Sequence, residues 1–214
     1  MKFSFLLLFG VMLSLFCTAC DHGEEGLDLT HFRYDLVTCR HDDGQLLFLR
    51  DDTVLLCPQE ALAADLMPID VRVLIGYSPV GEITDRRLDI DLQTSIAPVT
   101  GGKIEELSQE AVETLADDPI YLTSVWCSGG YVNVRYMIEY HDLSHSLAMV
   151  ALLPRVGGDT LDLQLLHDTR GDAPGYYASG YASYLLPRPL SPVVRVRINT
   201  SNLGGSRQFV LRNE

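Results

Sequence analysis

Residues 32–57 read FRYDLVTCR-HDDG-QLLFLR-DD-TVLLC. Three runs rich in β-branched, aromatic and leucine side chains are separated by two polar punctuations. Asp43-Gly44 is the strongest short-range hairpin signal, because both positions of a tight reversing turn need a left-handed backbone. Asp51-Asp52 marks a second reversal, and Pro58 ends the third run. The segment therefore predicts a three-stranded antiparallel meander.

Beyond the meander, Gln59–Leu66 (QEALAADL) contains helix formers and predicts about two turns of helix. Val71, Val73, Ile75 and Tyr77 then alternate on one face, as do Leu88, Ile90 and Leu92 against Asp89, Asp91 and Gln93. That period of two is the mark of half-buried strands. Three strands, a short helix and two strands is the element order of an OB-like barrel, expected over residues 28–99. Cys39 and Cys57 fall on strands flanking a third, roughly 10 Å apart, so no bridge between them is expected and both read as small core residues.

Thr100-Gly101-Gly102 interrupts the pattern. Lys103–Ala116 places Ile104, Leu107, Ala111, Val112 and Leu115 on one helical stripe, which predicts a linker helix within residues 100–117. From 118 to 214, candidate strands are Ile120–Cys127, Tyr131–Tyr140, Ser146–Leu153, Thr160–His167, Tyr177–Leu185, Val193–Thr200 and Gln208–Arg212. Glycine-rich turns separate several of them. Seven strands at this spacing predict an antiparallel β-sandwich, with Trp126 expected in its core. The fold class is therefore all-β: a barrel followed by a sandwich.

The amino terminus predicts the address. Lys2 is followed by an apolar run, Phe3 to Phe16, shorter than the roughly 20 residues of a spanning helix. Cys17-Thr18-Ala19 then places small residues before Cys20. This is the order of a cleaved signal peptide over residues 1–19, with Cys20 placed to carry a lipid. Leu is usual three residues before such a cysteine, and here Cys17 takes that place. Residues 20–27 form an acidic tether. A lipoprotein of the outer membrane, periplasmic or surface-exposed, is expected, and its partners include the membrane through the Cys20 lipid.

The 214 residues carry a formal net charge of −13. Residues 21–118 hold 22 acidic and 7 basic side chains, whereas residues 119–214 hold 7 and 8. So acidic a surface repels nucleic-acid phosphates, and no nucleic-acid partner is expected.

No nucleophile elbow, phosphate-binding loop or dinucleotide fingerprint occurs. No cofactor and no catalytic residue is assigned on these grounds. Tyr176, Tyr177, Tyr181 and Tyr184 cluster on one candidate strand, with Tyr177 and Tyr181 sharing a face. These two are the candidate partner-binding residues, because an exposed aromatic pair can stack on a protein side chain or a sugar ring. His141 and His145 stand four apart in a predicted turn, and His167-Asp168 ends a strand. A hydrolase or metalloenzyme would need His141, His145 or His167, with Asp168, to converge. Arg195 and Arg197 should point outward, between the inward-facing Val194, Val196 and Ile198.

Several stretches resemble the NigD-like lipoproteins of Bacteroidetes. They are the Cys20 anchor, Asp42-Asp43-Gly44, the run from Asp118-Pro119-Ile120 through Trp126 to Gly130-Tyr131-Val132-Asn133-Val134, and Leu166-His167-Asp168 followed by Gly171-Asp172. The resemblance implies an OB-like amino-terminal domain and a carboxy-terminal β-sandwich. It carries no catalytic residues across. It brings an association with bacteriocin genes, hence an immunity or accessory role beside the expectation of a non-enzymatic envelope module binding a protein or glycan.

Overall fold

The computed structural model describes residues 31–154, 159–188 and 190–213. Cys20 and the signal and tether segments expected at 1–19 and 20–27 lie outside the described residues. All strands among the described residues belong to one compact unit, Arg33–Glu214.

Five strands close a barrel: β1 (Arg33–Asp42), β2 (Gln45–Arg50), β3 (Val54–Pro58), β4 (Arg72–Thr84) and β5 (Arg87–Leu92). The pairing order is β1-β2-β3-β5-β4, and β4 returns to β1. The β3–β5 pair is parallel and the others are antiparallel. This is the OB-like topology expected. A short β6 (Ala97–Pro98) extends the barrel sheet beside β4. Asp43 and Gly44 both take positive φ, at 48° and 76°, as the tight β1–β2 turn requires. Cys39, Phe48, Leu56, Ile75, Tyr77 and Ile90 fill the barrel and are fully buried. The expected helix over 59–66 is only a 3-10 turn, Ala64–Leu66. Ala63 bridges to Gln45, and the amide of Leu46 donates to the carbonyl of Leu62. A short helix is marginal by itself, and here sheet-edge bonds hold the backbone instead.

Two sheets form the sandwich. β7 (Thr100–Lys103), β9 (Tyr121–Ser128), β10 (Tyr131–Tyr140) and β13 (Tyr176–Leu185) make one, in the order β7-β13-β10-β9. β8 (Glu105–Ser108), β11 (Ser146–Leu153), β12 (Thr160–Asp168), β14 (Val193–Thr200) and β15 (Gly205–Arg212) make the other, in the order β15-β14-β12-β11-β8. Val132, Val134, Leu163, Ala182, Tyr184 and Val196 lie in the interior between the sandwich sheets.

The linker helix expected within 100–117 needs correction. Thr100–Lys103 pairs in parallel with Ala182–Leu185, and Glu105–Ser108 pairs in parallel with Val150–Leu153. Only Gln109–Val112 is helical, a single turn capped by the Ser108 hydroxyl, which accepts from the Ala111 amide at 3.2 Å. The open edges of β11 and β13 supply backbone partners that outweigh helix propensity. The apolar stripe is still used: Val112 and Leu107 cover Val150 and Leu166 on the outer face of the second sheet.

Trp126 also needs correction. It is half-buried and faces outward, while its neighbours Val125 and Cys127 pack on the core. The cause is a register shift on β9: Arg135 pairs with Ser124 but Tyr136 pairs with Leu122. Thr123 is the extra residue of this β-bulge, and one extra residue reverses the alternation beyond it.

Cys39, Cys57 and Cys127 are free thiols. Burial pushes Cys39 and Cys127 up to about 11, so both remain protonated at neutral pH. Arg195 meets Asp162, its neighbour on β12, with Nη2 donating to Oδ2 at 2.6 Å.

Candidate functional site

The barrel docks on the outer face of the β9-β10-β13 sheet. The Asp51-Asp52 turn abuts the Ser128–Gly130 hairpin, where a Cβ on Gly129 would stand 3.1 Å from the Asp51 Cα. Arg72 is 7% exposed; its guanidinium lies 4.4 Å from the Tyr131 ring centroid, and its Nη1 donates to the Thr38 hydroxyl at 3.1 Å. Its Nε and Nη2 are buried without an acceptor, so the aromatic face supplies part of the compensation. Burial accordingly lowers the Arg72 pKa from its ordinary value.

Beside this contact a cleft of about 330 Å³ opens between the two β-layers. The register decides what lines the sandwich wall. Ser124, Arg135 and Tyr181 form one cross-strand row, and Trp126, Asn133 and Ser183 form the next. The Arg135 guanidinium lies 5.6 Å from the Tyr181 ring centroid. On the barrel wall stand Asp35, Arg50 and Asp51. Tyr77 fixes two of them from within the barrel: its hydroxyl donates to Asp35 Oδ2 at 2.6 Å and accepts from Arg50 Nη1 at 3.1 Å. Burial, followed by the Asp35 carboxylate, pushes the Tyr77 phenol up to about 12, so it remains a donor at neutral pH.

The tyrosine candidates occupy different places. Tyr181 lines the cleft. Tyr177 lies four residues along the same face of β13 and is 65% exposed. Tyr184 is in the core, and Tyr176 packs edge-to-face on Tyr140 with centroids 5.3 Å apart.

The histidine candidates converge in part. His145 Nδ1 lies 3.0 Å from His167 Nε2, and His145 Nε2 lies 3.2 Å from Asp172 Oδ2. His167 Nδ1 is 3.3 Å from the Asp118 carbonyl oxygen. Side chains of His145 and Asp172 are 2% and 3% exposed. Asp172 also accepts the amides of His141 and Asp142, at 2.7 and 3.2 Å, and the first of these does most to hold its carboxyl well below the usual carboxylate range. Burial, then the charge of His145, lowers His167. His141 stands apart with its ring on Asp142, and Asp168 turns back to accept the Arg170 amide at 2.7 Å. Among the described residues no group of three or more His, Cys, Asp or Glu is placed to hold a metal, and no Ser, Thr or Cys side chain bonds either ring. Every ring nitrogen of the pair has a partner within the protein. The arrangement ties the β10–β11 and β12–β13 loops together and presents no free base.

Trp126, Arg135, Asp35 and Arg50 carry no local signal that makes them neighbours. Only the bulge and the docking of two sheets bring them together. Asp172 reads in sequence as a turn residue, and its bond to His145 spans the loops between two pairs of strands.

Comparison with known proteins fits this architecture. Residues 103–203 match the NigD-like C-terminal beta sandwich domain. The carboxy-terminal sandwich is thus a NigD-like domain. A protein of unknown function from Bacteroides vulgatus shares the fold at 17% identity and TM-score 0.72, over 86% of this chain and 91% of that one. A NigD-like immunity protein from Bacteroides caccae matches at 17% identity and TM-score 0.61, over 83% and 91%. A candidate lipoprotein from Bacteroides fragilis matches at 8% identity and TM-score 0.62, over 86% and 98%. No curated protein matches this sequence. Among its described residues no helix is long and apolar enough to cross a membrane.

Proposed function

We propose that this chain is an exported, lipid-anchored module of the cell envelope. It binds a protein or glycan through the cleft between barrel and sandwich, without catalysing a reaction. The observation that carries the reading is the cleft itself. Two aromatic rings, Trp126 and Tyr181, stand in adjacent rows beside prepositioned Arg50, Asp35 and Arg135. Fixed polar groups beside aromatic rings in a concave space are the means by which a binding site orients its ligand. The signal-peptide pattern ending at Cys20 supports anchoring. So does the likeness to a Bacteroides fragilis protein described as a candidate lipoprotein.

The sealed histidine pair weighs against the hydrolase alternative, because both rings spend their nitrogens on internal bonds. The NigD-like immunity protein among the structural neighbours favours one special form of binding, in which the partner is a toxin. Protection of cells against a neighbouring strain's bacteriocin, lost on deletion of this gene, would support that form.

The test is recovery from detergent-solubilised envelopes with the intact protein as bait. A partner retained by the wild type and by Cys20→Ala, and lost in Tyr181→Ala, is expected. A partner retained equally by Tyr181→Ala and Trp126→Ala would move binding away from the cleft. Radiolabelled fatty acid should enter the wild type and not Cys20→Ala; labelling of both would refute lipidation at Cys20.

A further inference from the structure

We propose that the cleft takes a neutral oligosaccharide, with Trp126 and Tyr181 stacking on a pyranose ring and Arg135 and Asp35 bonding its hydroxyls. This deepens the binding-module reading and rests on it. Four observations point the same way.

First, Trp126 and Tyr181 are half-buried, so each ring is held by the sheet while part of it remains available. Flat aromatic faces suit the C–H face of a sugar, and both side chains pair an apolar body with a polar tip. Second, the polar groups come as planar forks. Arg135 has no hydrogen bond or ion pair among the described residues, and stacking on Tyr181 steadies it. Asp35 and Arg50 are pinned by Tyr77 and present their remaining lone pairs and N–H groups. Donors and acceptors side by side match the adjacent hydroxyls of a sugar, each of which both donates and accepts.

Third, the charges balance. Arg50 stands beside Asp35 and Asp51 on the barrel wall, with Arg135 opposite them, in a chain of formal charge −13. The surrounding negative field disfavours an acidic saccharide, and the local balance gives no net attraction to a charged one. Fourth, the cleft is a poor receptor for a polypeptide. Leu36 and Leu74 are the aliphatic residues of its lining, so a buried apolar anchor would find little to cover it. Its sandwich wall is a sheet face, which offers no unpaired backbone for strand addition. At about 330 Å³ the space lies at the lower end of the about 300–1,000 Å³ usual for small ligands, which fits a short stretch of sugar rings.

Trp126 is the chain's single tryptophan, so its emission reports the cleft without labelling. The full-length protein would be titrated with malto-, cello-, xylo- and mannohexaose, and with an oligogalacturonate of equal length. A saturable emission change with at least one neutral hexaose is expected. It should weaken by about tenfold or more in Tyr181→Ala and Arg135→Ala, and persist in the distant Val210→Ala. Tighter binding of the oligogalacturonate, no change with any neutral hexaose, or a change undiminished in both cleft variants would each overturn the proposal. If the hexaoses fail while an envelope protein is still captured in a Tyr181-dependent way, the saccharide assignment falls and the binding-module reading stands. If both fail, both fall.

Discussion

His145 and His167 face one another across 3.0 Å, and the space between their nitrogens holds a single proton. Both rings cannot be doubly protonated without breaking that bond, and this adds to the burial that chiefly lowers His167. In the unfolded chain a histidine protonates at about 6.5. As pH falls through that value the unfolded state binds more protons than the folded one, so stability declines; the loss is complete below the folded-state value. Asp172 adds a second step at lower pH. Its carboxyl is depressed in the fold, so its contribution is present above the ordinary carboxylate range and is lost as pH falls toward the folded value. Thermal midpoints measured from pH 8 to pH 3 should therefore drop in two stages. His167→Gln should remove most of the upper stage and leave the lower. A wild-type midpoint unchanged between pH 7 and pH 5 would contradict the buried pair.

Individual elements show where sequence patterns suffice and where they do not. The Asp43-Gly44 turn and the Tyr131–Tyr140, Ser146–Leu153 and Val193–Thr200 strands follow from local chemistry, and the structure gives those strands the same bounds. Lys103–Ala116 misleads because its helical stripe is real, yet residues 105–108 find a better backbone partner at β11. Ser108 marks the start of the surviving turn, so Ser108→Ala should cost about 1 kcal/mol in denaturant unfolding. An unchanged midpoint would show that the cap contributes nothing. Trp126 misleads because a single-residue bulge has no sequence signature of its own. Its outward position is directly measurable: Trp126 should emit to the red of a core tryptophan and be quenched readily by acrylamide. A blue, unquenchable emission would place the ring back in the sandwich core.

In the molecule as a whole, two separate apolar interiors share one docking face. Arg72 over Tyr131 and the Gly129–Asp51 approach join them, and both depend on residues far apart in sequence. The all-β class was legible because alternation is local. The cleft was not, since Asp35 and Arg50 on one wall meet Arg135 and Tyr181 on the other only after two sheets have formed and docked. Barrel and sandwich should unfold in one cooperative calorimetric transition. Gly129→Val meets the Asp51 backbone and strains a φ of +56°, so it should cost about 1–3 kcal/mol and split that transition. Two well-separated transitions in the wild type would show that the docking face contributes little.

The proposed function requires the cleft to be the place where this protein meets its partner. A photo-crosslinking side chain at Ser124, in the lipidated protein within intact envelopes, probes that directly, with one at Val210 as the distant reference. A discrete adduct from position 124, absent from position 210 and abolished by Tyr181→Ala, is the expected result. No adduct at 124, or the same adducts from both positions, would contradict it.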